Sequence, residues 1–357
     1  MSEVGPFEGH PRVAVAVSGG PDSLALLLLV HRWARARNGS AIGLSVDHRL
    51  RPESRAEMRQ VRRWLAERGL THRMLVWRHS EGIPTAALQA RAREERYRLL
   101  TAWCRRQGIL HLVLAHHAGD QAETVMMRLV RGSGIEGLAG MSAILARDGA
   151  RLIRPLLLVD PDRLRATLRV VGQGWIEDPS NSNPNFERVR WRRFIPSELR
   201  VAMARAAAEI GRERERREQR LAELLASACF ESPGHLSLSL QPLLAAAPEL
   251  ALAALSRCLI AVGGRLYPAR REKLERLLSN LAAGGPARTL GGCRVVQCGD
   301  RLAIIRETGP LARRGLRPES ISRCGRRKRG SDTPMWTNAP PLMPGSFTVA
   351  NLDVNIM

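Results

Sequence analysis

Apolar and polar positions switch repeatedly between a period of two and a period near 3.6 along the first third of the chain. Arg12 to Val17 reads RVAVAV, a short β-branched run closed by Ser-Gly-Gly, and Leu24 to Arg37 continues with apolar, helix-favouring residues. The unit recurs. Ala41 to Val46, Thr71 to Trp77 and Leu110 to Ala115 read as further strands, with helices over Glu53 to Arg68, Pro84 to Gln107 and Ala118 to Val130 between and after them. Strands alternating with helices predict an α/β fold with right-handed crossovers, in which a parallel, Rossmann-like sheet is covered on both faces. Sheets of this kind bind ligands at the carboxyl ends of their strands. Polar residues gather there: Ser18 to Ser23 after the first strand, Asp47 and His48 after the second, and His116 to Asp120 after the fourth.

The pattern changes beyond Asp160. Glu177-Asp-Pro-Ser-Asn-Ser-Asn-Pro-Asn185 is polar and turn-rich, and a highly charged helix is predicted from about Glu187 to Leu225. Helical periodicity near Leu240 to Val262 and Arg270 to Leu281 precedes Cys293 to Glu307, which reads as a hairpin turning at Gly299-Asp300. The expected organisation is a parallel-sheet domain over 1–186, a helical connector over 187–226, a smaller α+β domain over 227–309, and a tail over 310–357 that is rich in Arg, Pro, Gly and Ser and left irregular.

Charge sharpens this picture. Lys and Arg number 56 against 34 Asp and Glu, a formal net charge of +22, which points to a polyanionic partner. Lys273 and Lys328 are the only lysines, so the charge is carried by arginine, whose planar fork makes bidentate contacts with phosphate. The six cysteines include no C-x-x-C pair, which suits a reduced, cytoplasmic setting. The start, MSEVGPFEGH, lacks a basic segment followed by an apolar one, and the run Leu24 to Val30 is too short to span a bilayer, so neither secretion nor membrane insertion is expected.

Two motifs carry chemistry. Ser18-Gly19-Gly20-Pro21-Asp22-Ser23 joins a strand to a helix, and its two glycines let backbone N–H groups close around an anion at the helix N-terminus. It is neither the lysine-bearing P-loop nor the G-x-G-x-x-G dinucleotide turn. Ser18 and Ser23 can donate to phosphate oxygens, and Asp22 can hold Mg²⁺ or orient the loop. His117-Ala-Gly-Asp120-Gln121, with Glu123, puts an imidazole, carboxylates and an amide on the same rim. Arg91, Arg93, Arg96 and Arg98 beside Tyr97, and Arg128 and Arg131 before Gly132-Ser-Gly134, are candidates to clamp phosphates. A zinc site is disfavoured because no cysteine lies at a suitable spacing.

With these motifs in hand the chain resembles the tRNA(Ile)-lysidine synthetases, members of the N-type ATP pyrophosphatase (PP-loop) superfamily. The resemblance runs from about Arg12 to Arg193. It rests on Ser18 to Ser23, Val46-Asp-His-Arg-Leu-Arg51, Ala92-Arg-Glu-Glu-Arg-Tyr97, His117 to Gln121 with Glu123-Thr124, Arg131-Gly-Ser-Gly134, Arg154-Pro-Leu156 and Trp175-Ile-Glu-Asp-Pro-Ser-Asn181. It implies that ATP sits on Ser18 to Ser23, with Asp22 and Asp120 near Mg²⁺ and Arg93, His117 and Arg131 close to the reacting phosphoryl group. The implied reaction adenylates C2 of the wobble cytidine in the CAU anticodon of an isoleucine tRNA, releasing pyrophosphate, after which the amine of L-lysine displaces AMP. The amine must attack in its neutral form, and Asp120 and Asp178 are candidate proton acceptors. Arg288 to Gly292 with the Cys293 to Glu307 hairpin is similar to the family's C-terminal, tRNA-recognising domain. Val189 departs from the family, where many relatives carry Asn. The resemblance leaves room for a homodimer.

Two other readings compete. A tRNA thiolase of the same superfamily would activate a base in the same way but needs paired cysteines, and here Cys293 and Cys298 lie far from the sheet in sequence. A non-catalytic RNA-binding protein with a degenerate nucleotide fold would not need Asp22, Ser23, Asp120 and Gln121 to be intact.

Overall fold

The computed structural model of the protein describes residues 1–50, 53–79, 88–177, 187–232 and 235–307. Two compact units divide between Arg212 and Glu213.

The first unit is built on a six-stranded sheet. Strands β1 (Arg12–Ala16), β2 (Ser40–Asp47), β3 (Thr71–Val76), β4 (His111–Val113), β5 (Ile144–Arg147) and β6 (Ala150–Ile153) lie in the order β3-β2-β1-β4-β6-β5. All neighbours pair in parallel except β5, which runs antiparallel to β6. The parallel-sheet α/β expectation is thus met. Helices α1 (Pro21–Arg35), α2 (Ser54–Glu67), α3 (Leu88–Arg106), α4 (Ala118–Val130) and α5 (Pro161–Val170) accompany it. The alternation along β1 decides the layers. Val13 and Val15 face one side, with Leu24 and Leu27 of α1, Val61 and Leu65 of α2, and Leu164 and Leu168 of α5. Ala14 faces the other, with Leu44 of β2, Leu112 of β4 and Tyr97, Leu100 and Cys104 of α3. A buried leucine in either layer stabilises the fold by roughly 1.5–3 kcal/mol relative to leaving it exposed.

The sequence reading differs from the fold in places. The β5–β6 hairpin was not foreseen, because strands this short give too few periods to register, and α5 was not foreseen either. The single charged helix expected from Glu187 is two, α6 (Glu187–Phe194) and α7 (Ser197–Ala228), since Pro196 lacks the N–H that an uninterrupted helix would need there. Residues 84–87 of the expected third helix, most of the polar loop and the tail over 310–357 lie outside the described residues.

The second unit carries β7 (Cys229–Ser232), β8 (His235–Ser239), β9 (Arg288–Leu290), β10 (Cys293–Cys298) and β11 (Arg301–Arg306), in the antiparallel order β7-β8-β11-β10-β9. Its helices are α8 (Leu240–Ala245), α9 (Pro248–Gly263) and α10 (Arg271–Ala282). Leu255, Leu259, Leu274, Leu277, Val295 and Ile304 make its core. The expected hairpin at Gly299-Asp300 is the β10–β11 pair, with Cys298 opposite Arg301.

Candidate active site

The loop between β1 and α1 is shaped by its own side chains. Ser18 N–H donates to Ser23 Oγ at 3.1 Å, Ser23 Oγ–H donates to the Gly20 carbonyl at 3.0 Å, and the two serine hydroxyls lie 3.2 Å apart. Gly19 holds φ at +88°, and a Cβ there would come within 2.8 Å of Val61 and 3.0 Å of Ile176, so only glycine fits both the conformation and the space. Gly20 is the N-cap of α1 and offers no side chain to the helix, while Pro21 occupies the first turn. The amide end of α1 is therefore left for an external anion. Ile176 N–H donates to the Gly19 carbonyl at 2.9 Å, tying the segment before residue 178 to this loop.

The neighbouring cluster belongs to the amino end of α4. His117 is its N-cap: Nδ1 accepts from the N–H of Gly119 at 3.1 Å and of Asp120 at 3.4 Å, while the N–H of His117 donates to Asp120 Oδ2 at 3.0 Å. This reciprocal box turns Nε2 outward, 3.5 Å from Asp22 Oδ2 and 3.6 Å from Asp120 Oδ2. Carboxylates from two helices thus converge on one imidazole nitrogen. Burial works against a charged His117, but the hydrogen bond to Asp22 and the charges of Asp120 and Asp22 outweigh it and raise the ring above its ordinary pKa. The two capping bonds oppose that rise, because a proton on Nδ1 would break them. For Asp120 burial favours the neutral acid, yet the charge of His117, the hydrogen bond from its backbone N–H and the charge of Arg192 hold it below the usual carboxylate range.

Arg192 of α6 closes the cluster. Its Nε donates to Glu123 Oε1 at 2.7 Å, and its Nη2 lies 3.8 Å from Asp120 Oδ1. Glu123 is 1% exposed, and burial raises its pKa despite this partner. Two carboxylate oxygens, Asp22 Oδ1 and Glu123 Oε2, are buried with no hydrogen-bond partner. Asp22 Oδ1 stands in the first turn of α1, and an orphaned hard oxygen beside an anion-binding helix end is a donor a Mg²⁺ ion takes, an ion commonly held by one or two carboxylates together with substrate phosphates. Among the described residues no group of three or more His, Cys, Asp or Glu side chains is placed to hold a metal ion.

Cations line the other side. Burial, reinforced by Arg154, Arg93 and Arg96 and opposed by Asp120, pushes the His116 imidazole far down, so it is neutral at physiological pH. Arg93, Arg96 and Arg147 surround the Tyr97 ring with guanidinium carbons 5.2, 5.8 and 4.9 Å from its centroid. Burial and the charge of Arg93 lower the pKa of Arg96, an arrangement an incoming anion would relieve.

A profile of the PP-loop domain family matches residues 2–199. A protein named tRNA(Ile)-lysidine synthase from Rhodopseudomonas palustris is 41% identical over 84% of this chain and 91% of its own length. Proteins of the same name from a Bradyrhizobium strain and from Hyphomonas neptunium are each 39% identical, over 87% and 84% of this chain and 94% and 82% of theirs. The chain belongs to the tRNA(Ile)-lysidine synthase family. The fold is also similar to a solved structure described as a U34-tRNA thiolase from Methanococcus maripaludis with its [4Fe-4S] cluster, with a TM-score of 0.50 and 18% identity over 60% of this chain and 75% of that one. That likeness concerns the fold. Among the described residues Cys104 is the only cysteine within the first unit, and burial pushes its thiol up to about 12.

Within this lysidine synthase fold the predicted residues separate. Ser18 to Ser23, Asp22, His117 and Asp120 come together, and Arg93 acts on His116 beside them. Arg131 does not join them: it is the C-cap of α4, about 17 Å along the helix axis from Asp120, and its Nη2 donates to Glu187 Oε2 at 2.7 Å. Gln121 is structural, its Nε2 donating to the Met141 carbonyl at 2.9 Å and its Oε1 accepting from Met141 N–H at 2.7 Å. Asp178 lies outside the described residues. Sequence reasoning missed Arg192, one of several arginines in a charged helix, and gave His116 no role beyond its place among the polar residues after the fourth strand. Arg192 carries no local signal that separates it from Arg190 or Arg193.

Proposed function

We propose that the chain ligates L-lysine to C2 of the wobble cytidine of isoleucine tRNA through an adenylated intermediate, with its chemistry at the amino ends of α1 and α4. The observation that carries this is the meeting of Asp22 and Asp120 at His117 Nε2, next to a glycine-shaped, uncapped helix end. The Ser18 to Ser23 loop binds the phosphates of ATP. Asp22 and Asp120 would hold Mg²⁺, which when bound supplies positive charge that offsets negative charge on the phosphates.

Activation is needed because the cytosine O2 is a poor leaving group until it is esterified. The O2 of the cytidine attacks the α-phosphorus of ATP, the bond to the bridging oxygen breaks, and pyrophosphate leaves. Arg93, with Arg96 and the neutral His116, stabilises charge on the phosphates. The lysine amine then attacks C2, AMP departs with the oxygen, and the amine gives up a proton. Glu123 suits that acceptor role better than Asp120, because burial raises its pKa and Oε2 has no other partner, whereas Asp120 is held ionised by its cationic neighbours. Arg131 takes no part in phosphate chemistry in this reading.

Among the described residues no helix is long and apolar enough to cross a membrane. With the family assignment this supports a cytoplasmic setting, where tRNA, ATP and lysine are at hand. Incorporation of radiolabelled lysine into isoleucine tRNA with a CAU anticodon tests the proposal: wild type labels only with ATP present, and Asp120→Ala does not. Adenylation without lysine transfer would keep the first half and require another nucleophile. Neither step occurring would favour a non-catalytic RNA-binding protein.

A further inference from the structure

Helix α6 reads Glu187-Arg-Val-Arg-Trp-Arg-Arg-Phe194, with four arginines in its 8 residues. Its two faces differ. Val189 is buried and Arg192 reaches Glu123, so that side lies on α4. Trp191 and Phe194, three positions apart and therefore neighbours on the helix surface, turn another way. Their rings stand 6.3 Å apart at 57°, Trp191 half-buried and Phe194 77% exposed. Phe194 thus leaves most of its ring in water, where packing gives it nothing. Arg190 and Arg193 are exposed beside it.

An aromatic face rimmed by guanidiniums has the chemistry of a surface for unpaired nucleotides: bases stack on rings, and arginines follow the phosphates. Its place in the fold agrees. Arg192, on the same short helix, reaches Glu123 and Asp120, so the outer face of α6 that carries Phe194 lies about one helix diameter, roughly 10–12 Å, from the reacting groups. A base that enters a recessed site must leave its own stack, and the nucleotide beside it then lacks a stacking partner.

We propose that Phe194, backed by Trp191, is the stacking platform for an unpaired nucleotide adjacent to the reacting base of the RNA. The inference rests on the function proposed above. Because Phe194 is exposed and on the far side of α6 from Arg192, its replacement leaves the reacting groups in place.

The test uses the full chain and a fluorescein-labelled anticodon stem-loop with the CAU sequence. Phe194→Ala is expected to weaken binding about 5- to 150-fold, and Phe194→Trp to stay within about twofold of wild type, because stacking needs a ring. Binding of a fluorescent ATP analogue and the thermal melt stay at wild-type values. Phe194→Ala binding as tightly as wild type, or Phe194→Leu restoring affinity as fully as Phe194→Trp, would overturn stacking. So would a Phe194→Ala variant that binds the RNA normally but loses binding to phosphatidylglycerol vesicles, since the face would then serve a membrane. Wild type failing to bind the stem-loop at all would instead sink the RNA reading on which the inference rests.

Discussion

The two ends of α4 make an instructive contrast. Both carry polar, motif-like sequence, and both are bound to α6: Arg192 meets Glu123 and Asp120 near the amino end, and Glu187 meets Arg131 at the carboxyl end. At the amino end the carboxylates are recessed, Glu123 being 1% exposed, and two carboxylate oxygens lack partners. At the carboxyl end the Arg131 side chain is 48% exposed and already paired, with Leu129, Val130 and Ile135 exposed around it. The same kinds of charge thus do different things. Desolvation makes the first set reactive, and solvent screening makes the second a tether.

The sharpest way to break the contrast is Asp120→Ala. It should lower adenylation about 10²–10³-fold, a loss of the size produced by removing a group that stabilises transition-state charge. Arg192→Ala comes next, because it leaves Glu123 buried without its cation. A melting experiment should find it destabilised by about 1–3 kcal/mol, and Arg192→Ala combined with Glu123→Gln should recover part of that loss. If the double variant melts lower than the single one, Glu123 is not the strained partner.

The pH dependence separates the two carboxylates. Asp120 is held below its unfolded pKa, so its contribution to stability is full above about 3.9 and is lost as pH falls through the lower folded value. Glu123 has the opposite sign: its pKa is raised, so its ionisation weakens the fold as pH rises through about 4.3 and beyond. Glu123→Gln should therefore flatten the stability profile above that range, while Asp120→Asn flattens it below; melts across pH check both. The smallest effect belongs to Arg131→Ala, expected to cost at most about 1 kcal/mol and to change activity only a few-fold, as for exposed ion pairs. A loss as large as that of Asp120→Ala would place Arg131 in the chemistry after all.

These contrasts also explain what could be read in advance. The parallel sheet was legible because RVAVAV and its successors alternate strongly and end in glycine or polar residues. So was the Ser18 to Ser23 loop, whose residues are contiguous and whose geometry is local. That His117 and Asp120 share the rim was legible for the same reason, since four residues hold them both, but the capping box that joins them was not. Arg192 was not: its meaning depends on α6 folding back along α4, a contact made at long range in sequence. The break at Pro196 was overlooked because charge continued through it. The place of Arg131 was not legible either, since a motif says which residues are near each other in sequence but not how far along a helix axis they sit.

The most direct test of the central claim is transfer of labelled AMP from ATP to isoleucine tRNA in the absence of lysine, comparing wild type, Asp120→Ala and Arg131→Ala side by side. The account predicts that wild type and Arg131→Ala form the adenylated tRNA at similar rates and that Asp120→Ala does not. Adenylation that survives in Asp120→Ala and fails in Arg131→Ala would contradict it, moving the reacting phosphoryl group to the other end of α4.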